Sequence, residues 1–330
     1  MKHTSLAAAI AVALLVPATA QARPDAPAPA PAPTATAAAI SLKGVTLKIG
    51  GQTDGLQSLL VASGVLSGKA YSIKWSTFSS GPPILEALQA GKIDAGGVGN
   101  TPPLFAAATK ANFRIVAAIP QRNANGDSLL VPKSSSISSV AQLKGKSIAY
   151  TRGSSGHGFL VQALKKAGLK PSDVSLKDLT PADSLAAFTS GKVDAWATWE
   201  PFITIASGAG KVIANGKQFA ASGLSFVTAT TSALGNVKKR TAIRDYLVRL
   251  RRALKWGASH QDAWAKAFNQ ESGLPVDIAK KAIGKTLVDL KPATGSIVAQ
   301  EQKLADALAG AGALKKITVR KIVSNQLASE

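Results

Sequence analysis

Cysteine is absent from all 330 residues, histidine occurs three times, and Asp and Glu together number 18 against 39 Lys and Arg. Without cysteine there is no disulfide, thiolate nucleophile, thiolate metal site or lipid-anchored cysteine, so stability has to come from burial. His3 falls in an N-terminal leader, which leaves His157 and His260 without an HExxH pattern. Neither a metal site nor a cofactor is expected. The stretch "GSSGHG" (153–158) fits neither a nucleoside-triphosphate loop nor the full GxGxxG dinucleotide fingerprint. The shortage of acids gives a formal charge of +21 and a pI near 10.2. That balance favours anionic encounters: nucleic acid, an anionic membrane surface or small anions. An excess of surface lysine explains it equally well.

Long apolar runs are missing too. The longest opening run, Leu6 to Val16, follows Lys2 and His3 and precedes Ala20-Gln21-Ala22. Eleven apolar residues before a small-x-small site read as a secretory signal peptide over 1–22, cleaved near Ala22. Residues 23–42 are then a Pro/Ala-rich linker that cannot bury a core. The remaining ~290 residues suffice for about two domains.

Two segments a hundred residues apart state one unit twice. "LEALQAGKIDA" (85–95) and "LAAFTSGKVDA" (185–195) share six of eleven positions. Around them, alternating strands such as "VTLKIGG" and "AYSIKWSTF" interleave with helices opened by Ser or Thr before proline and stopped by glycine. The β/α alternation runs to about 119 and restarts after the polar "QRNANGD" (121–127). This order predicts an α/β fold in two successive lobes, with parallel pairing and covering helices. From about 224 the pattern turns helical, over 237–268, 276–284 and 297–310. Ile243, Leu247, Leu250 and Leu254 share one face there, and Lys and Arg fill much of the rest. No aromatic stacking platform or helix-turn-helix accompanies these charges, so nucleic acid is not expected as a partner.

Ligands of open α/β sheets bind beyond the carboxyl ends of strands. Those ends read "GGQTDG", "FSSGPP", "GNTPP", "RGSSGHG" and "TWEPF". Four combine small polar residues with a helix start, where unpaired amides attract anions. Ser79, Ser80, Thr101, Ser154 and Ser155 add hydroxyls, and Arg122 and Arg152 lie near two of the turns. Each Ser or Thr, taken alone, is equally a helix cap. His157 is a candidate donor, or else a structural residue at a helix start. A Ser154–His157 nucleophilic pair has no third member, so no enzyme activity is expected. Trp196 and Trp199 sit on one strand; one belongs to the core, and Trp199 or Glu200 faces the cleft.

Three blocks, "SSGPPILEALQAGKIDAGGVGNTPPLFAAA", "LKGKSIAYTRGSSGHGFLVQALKKAGLK" and "LTPADSLAAFTSGKVDAWATWEPF", closely resemble the aliphatic-sulfonate-binding proteins of ABC importers. These belong with the taurine and nitrate binders. The resemblance implies a two-lobed, type II periplasmic-binding-protein-like fold, each lobe a mixed, mostly parallel sheet flanked by helices. It implies lobe 1 over 43–124 plus 225–330 and lobe 2 over 125–224. The family's contact segments map onto Gln52, Ser80-Gly81, Asn100-Thr101, Ser154-Ser155, His157 and Trp199-Glu200. A monomer in the periplasm, a small sulfonate-like anion, a membrane permease and its cytoplasmic ATPase are the implied setting. Relatives often carry an acid where this chain has Asn100. Nitrate, taurine and aryl sulfonates stay open as ligands, as does a basic protein binding envelope polyanions.

Overall fold

The computed structural model describes residues 40–121, 126–219, 223–284 and 289–327; the leader, nearly all of the Pro/Ala tract and Arg122 lie outside them. The chain first builds β1 (Thr46–Gln52), α1 (Leu56–Ala62), β2 (Ser72–Phe78), α2 (Gly81–Gln89), β3 (Ala95–Gly99), α3 (Thr101–Ala107) and β4 (Phe113–Pro120). It continues with β5 (Asp127–Pro132), β6 (Ser147–Tyr150), α4 (Ser155–Lys166), β7 (Ser175–Asp178), α5 (Pro181–Thr189), β8 (Ala195–Trp199), α6 (Phe202–Ile205) and β9 (Gly210–Asn215). Last come β10 (Leu224–Thr230), α7 (Thr231–Gly235), α8 (Val237–Ser259), α9 (Gln261–Ser272), α10 (Val276–Ile283) and α11 (Gly295–Gly310).

These strands form two five-stranded sheets with matching plans, β2-β1-β3-β10-β4 and β7-β6-β8-β5-β9. In each, the first three strands pair in parallel, whereas β10 and β5 run antiparallel to both neighbours. Those two are the strands that follow a passage from the opposite sheet, so they enter reversed. Both sheets are therefore mixed and mostly parallel, as the resemblance implies.

The repeated segment is a joint. In both copies the helix ends on a left-handed glycine, Gly91 (φ 66) and Gly191 (φ 72), a backbone state glycine reaches without a Cβ penalty. The amides of Lys92 and Lys192 return to the carbonyls of Ala87 and Ala187, both at 2.9 Å. Two residues on, Asp94 and Asp194 pin the next strand to its neighbour. Asp94 accepts the Lys48 N–H at 3.0 Å, and Asp194 accepts the Ser147 N–H at 2.8 Å. Each aspartate also donates its own amide back to the same residue's carbonyl, at 2.7 and 3.0 Å. The six shared positions thus encode one helix stop and one strand clamp.

Helices α8, α9 and α10 pack on the first sheet. Ile243, Leu247, Leu250 and Leu254 of α8 are all buried against Leu47, Leu59 and Val116 in one cluster, as their spacing predicts. Lys239 reaches Asp94 at 2.6 Å and fastens α8 to the first clamp. The helix expected over 237–268 is broken, because His260 leaves the helical region (φ −123, ψ 43) and stacks on Trp256. Between β5 and β6 the chain makes a single 3-10 turn, Val140–Leu143, followed by left-handed Gly145. No helix among the described residues is long and apolar enough to cross a membrane.

The clamp gives the first test. Asp194→Ala removes two hydrogen bonds from a carboxylate, to the Ser147 amide and to its hydroxyl. Charged-group bonds are worth about 1.5–3 kcal/mol each, so a loss of about 3 kcal/mol is expected as a lower urea midpoint. A change below ~0.5 kcal/mol would show that the repeat does not hold the second sheet.

Candidate functional site

A cleft of about 750 Å³ opens between the two sheets, where the carboxyl ends of their parallel strands converge. Gln52 and Asp54 follow β1, Gly81 begins α2, and Gly97, Val98 and Gly99 close β3. The second sheet contributes Ser154 and Ser155 at the start of α4, and Trp199 and Glu200 at the end of β8. A second chamber of about 520 Å³ shares Gln52, Asp54 and Trp199 with the first and extends past Ser79 and Thr180.

The helix starts of α2 and α4 therefore both border the same space. The early amides of a helix have no intrahelical carbonyl to bond, and they carry partial positive charge; α2 opens Gly81-Pro82-Pro83, so among its first three residues only Gly81 has one to offer. At α4 the Ser154 side chain is committed inside its own turn. Its hydroxyl donates to the Thr151 carbonyl at 2.7 Å and accepts the His157 amide at 3.3 Å. The Ser155 hydroxyl bonds Asp127. What α4 offers an anion is therefore its first-turn backbone rather than its serine hydroxyls.

The sequence candidates separate into three groups. Gln52, Gly81, Ser154, Ser155, Trp199 and Glu200 line the main chamber and Ser79 the second. Ser80, Asn100 and Thr101 are buried just behind the wall, with the Thr101 hydroxyl donating to Asn100 Oδ1 at 3.0 Å. Arg152 and His157 are not brought to the cleft. The Arg152 side chain is largely exposed and bridges Asp178 at 3.0 Å. His157 is buried between Phe105 and Tyr150, and its Nδ1 accepts the Gly153 amide at 3.1 Å, so the neutral ring carries its proton on Nε2. Burial, with Arg152 nearby, pushes His157 down to about 4. Arg122 lies outside the described residues. On β8 Trp196 is core, Trp199 on the opposite face reaches the cleft, and Glu200, just past the strand end, lines it too.

Sequence reasoning passed over Asp54, Gln121 and the β10 residues Leu224, Ser225 and Phe226, all of which line the main chamber. The strand-end rule already pointed at "GGQTDG", so Asp54 was within reach. The β10 residues carry no such signal, since that strand runs antiparallel and presents its amino end.

Electrostatics inside the cleft run against the chain's overall charge. No Lys or Arg lines either chamber among the described residues, whereas Asp54 and Glu200 do. Burial raises Asp54 to about 7, despite the Leu56 amide it accepts at 3.2 Å, and Glu271 adds to the rise. Glu200 accepts the Thr204 amide at 3.2 Å. Burial likewise lifts Asp127 to about 6 against the favourable Ser155 bond. Among the described residues no cluster of His, Asp or Glu could hold a metal ion.

A family model described as "NMT1/THI5 like" matches residues 80–262. A relative from Escherichia coli (strain K12), named as an aliphatic-sulfonates-binding protein, is 34% identical over 266 residues, 79% of this chain and 82% of its own length. Among solved structures, the alkanesulfonate-binding protein from Xanthomonas axonopodis pv. citri, bound to MOPS, aligns with a TM-score of 0.79 at 30% identity. It covers 86% of this chain and 99% of its own. The periplasmic aliphatic sulphonate binding protein from Escherichia coli aligns with a TM-score of 0.75 at 32% identity, over 86% and 98%.

Asp127 gives a pH test. Its folded value lies above the ordinary 3.8, so the stability it contributes is full below about pH 4 and lost as pH rises through about 6. His157 works the other way, contributing above about pH 6.5 and losing that contribution as pH falls through about 4. The difference between wild type and Asp127→Asn isolates the first effect. Asp127→Asn should gain on wild type by about 3 kcal/mol between pH 4 and pH 8, read from urea midpoints. A difference that does not change with pH would remove Asp127 as a buried charge.

Proposed function

The chain belongs to the NMT1/THI5-like family and to its sulfonate-binding solute receptors of ABC importers, and on that premise we propose that it captures a small organic anion, an aliphatic sulfonate, by closing its lobes. The observation that carries this reading is the pairing of two helix starts, α2 from one sheet and α4 from the other, on one cleft. A sulfonate has three acceptor oxygens and stays ionised at neutral pH, so it suits amide donors that need no countercharge. The relatives named above are described as binding proteins. The lobes are taken as 43–124 plus 225–330 and 125–224. Capture would take place in the periplasm after cleavage near Ala22, and a permease with its ATPase would receive the ligand.

The lobes meet closely beside the cleft. A Cβ on Gly158 of α4 would lie 2.1 Å from Thr101 Oγ1, and one on Gly99 would lie 2.9 Å from Ser155 Cβ. A ligand bridging both helix starts shifts the population toward this closed arrangement.

Two measurements test the reading. A melting screen of alkanesulfonates, taurine, nitrate and sulfate should show at least one sulfonate raising the melting temperature, as ligand at a hundred times its Kd adds about 2.7 kcal/mol. If no sulfonate shifts the melt, the ligand class is wrong. Gly158→Val should wedge the lobes apart and weaken the same ligand about tenfold or more, with a larger radius of gyration in solution scattering. Unchanged affinity in that variant would mean the lobes do not close at this contact.

A further inference from the structure

Building on the sulfonate reading, we propose that the ligand carries a cationic nitrogen as well as its anionic head, and that Asp54 is the residue that selects it. The argument begins with position. The helix starts at Gly81, Ser154 and Ser155 border the main chamber only, whereas Asp54 borders both chambers. A ligand whose head sits at the helix starts therefore runs past Asp54 as it extends toward the second chamber. Trp199 lines the same passage and offers an aromatic face, which suits a cation as well as an alkyl chain.

The charges around Asp54 point the same way. Glu271 on α9 lies close enough to raise its pKa, and the Tyr246 hydroxyl on α8 is also within its field. Glu271 accepts the Ser58 amide at 2.8 Å. Across the cleft stands Glu200. Among the described residues, no basic side chain faces Asp54 from any of these elements. A purely anionic ligand would bring one more negative charge into this setting and drive Asp54 toward its neutral acid. A ligand bearing an ammonium group would supply the missing countercharge and favour the carboxylate. The two cases have opposite proton linkage: the anion takes up a proton on binding, and the zwitterion releases one.

Calorimetry with aminopropanesulfonate and propanesulfonate, at about pH 6 and pH 8 and in buffers of different ionisation enthalpy, separates the two cases. With Asp54 at about 7, its ionised fraction rises from about a tenth to about nine-tenths over that range. Aminopropanesulfonate should therefore gain up to about tenfold in affinity toward pH 8, release protons, and bind at least tenfold tighter than propanesulfonate there. Asp54→Asn should abolish both the preference and the proton release. Propanesulfonate binding wild type as tightly at pH 8, or proton uptake with the amine, overturns the inference, and neither needs the variant to fold. An aminobutyrate and butyrate pair, run alongside, distinguishes the two layers. If both sulfonates fail while aminobutyrate binds and butyrate does not, the sulfonate reading falls and the role of Asp54 stands. If no amine-bearing compound binds, the inference is overturned.

Discussion

The starts of α2 and α4 border one cleft only because two backbones approach where a side chain would block them. Gly158 lies against Thr101 and Gly99 against Ser155, each with too little room for a Cβ to fit unadjusted. Thr101 opens α3, directly after β3, and Gly158 sits in the first turn of α4. This contact sets the distance between the two lobes' strand ends. The donor geometry of the cleft therefore depends on it more than on any single hydroxyl in the wall.

The cleft and the surface obey different electrostatics. The excess of Lys and Arg is carried in part by the outer face of α8, where Lys238, Arg244, Arg252 and Lys255 are exposed. Such a field raises the local concentration of anions at long range and is screened by salt beyond about 8–10 Å. Within the cleft the donors are amides and the charged groups described there are acids. The surface and the cleft thus carry charge of opposite sign, on different residues.

Much of this was legible in the sequence. The repeat at 85–95 and 185–195 disclosed the two-lobe plan, since a helix stop and strand clamp need Gly, Lys and Asp at fixed spacing. The strand-end rule located most of the wall, because a β-to-α turn has to carry small polar residues to cap its helix. It failed where sequence proximity does not decide direction. Arg152 follows β6 near the cleft, but Asp178 at the end of β7 draws it outward. Ser154 looked like a ligand donor, but a hydroxyl at an N-cap is first claimed by its own helix. His157 points back into an aromatic nest that no local pattern announces. The antiparallel placement of β5 and β10 depends on how the chain passes between lobes, and that is invisible to periodicity.

The C-terminal helix α11 lies on an apolar seam shared by α3 and α4. One apolar cluster joins Leu104 of α3, Val161 of α4 and Leu304, Ala305 and Leu308 of α11, so the same seam touches both lobes. Glu301 on that helix is fully buried, with neither carboxylate oxygen hydrogen-bonded among the described residues. Burial pushes its carboxyl well above the ordinary range, which favours the neutral acid over the carboxylate. A neutral acid costs a buried site far less than an unpaired charge, though more than an apolar residue of the same shape. The seam therefore behaves as nearly apolar throughout. Contacts of that kind are short-ranged and non-directional, so they tolerate a small rotation that a network of buried ion pairs would resist.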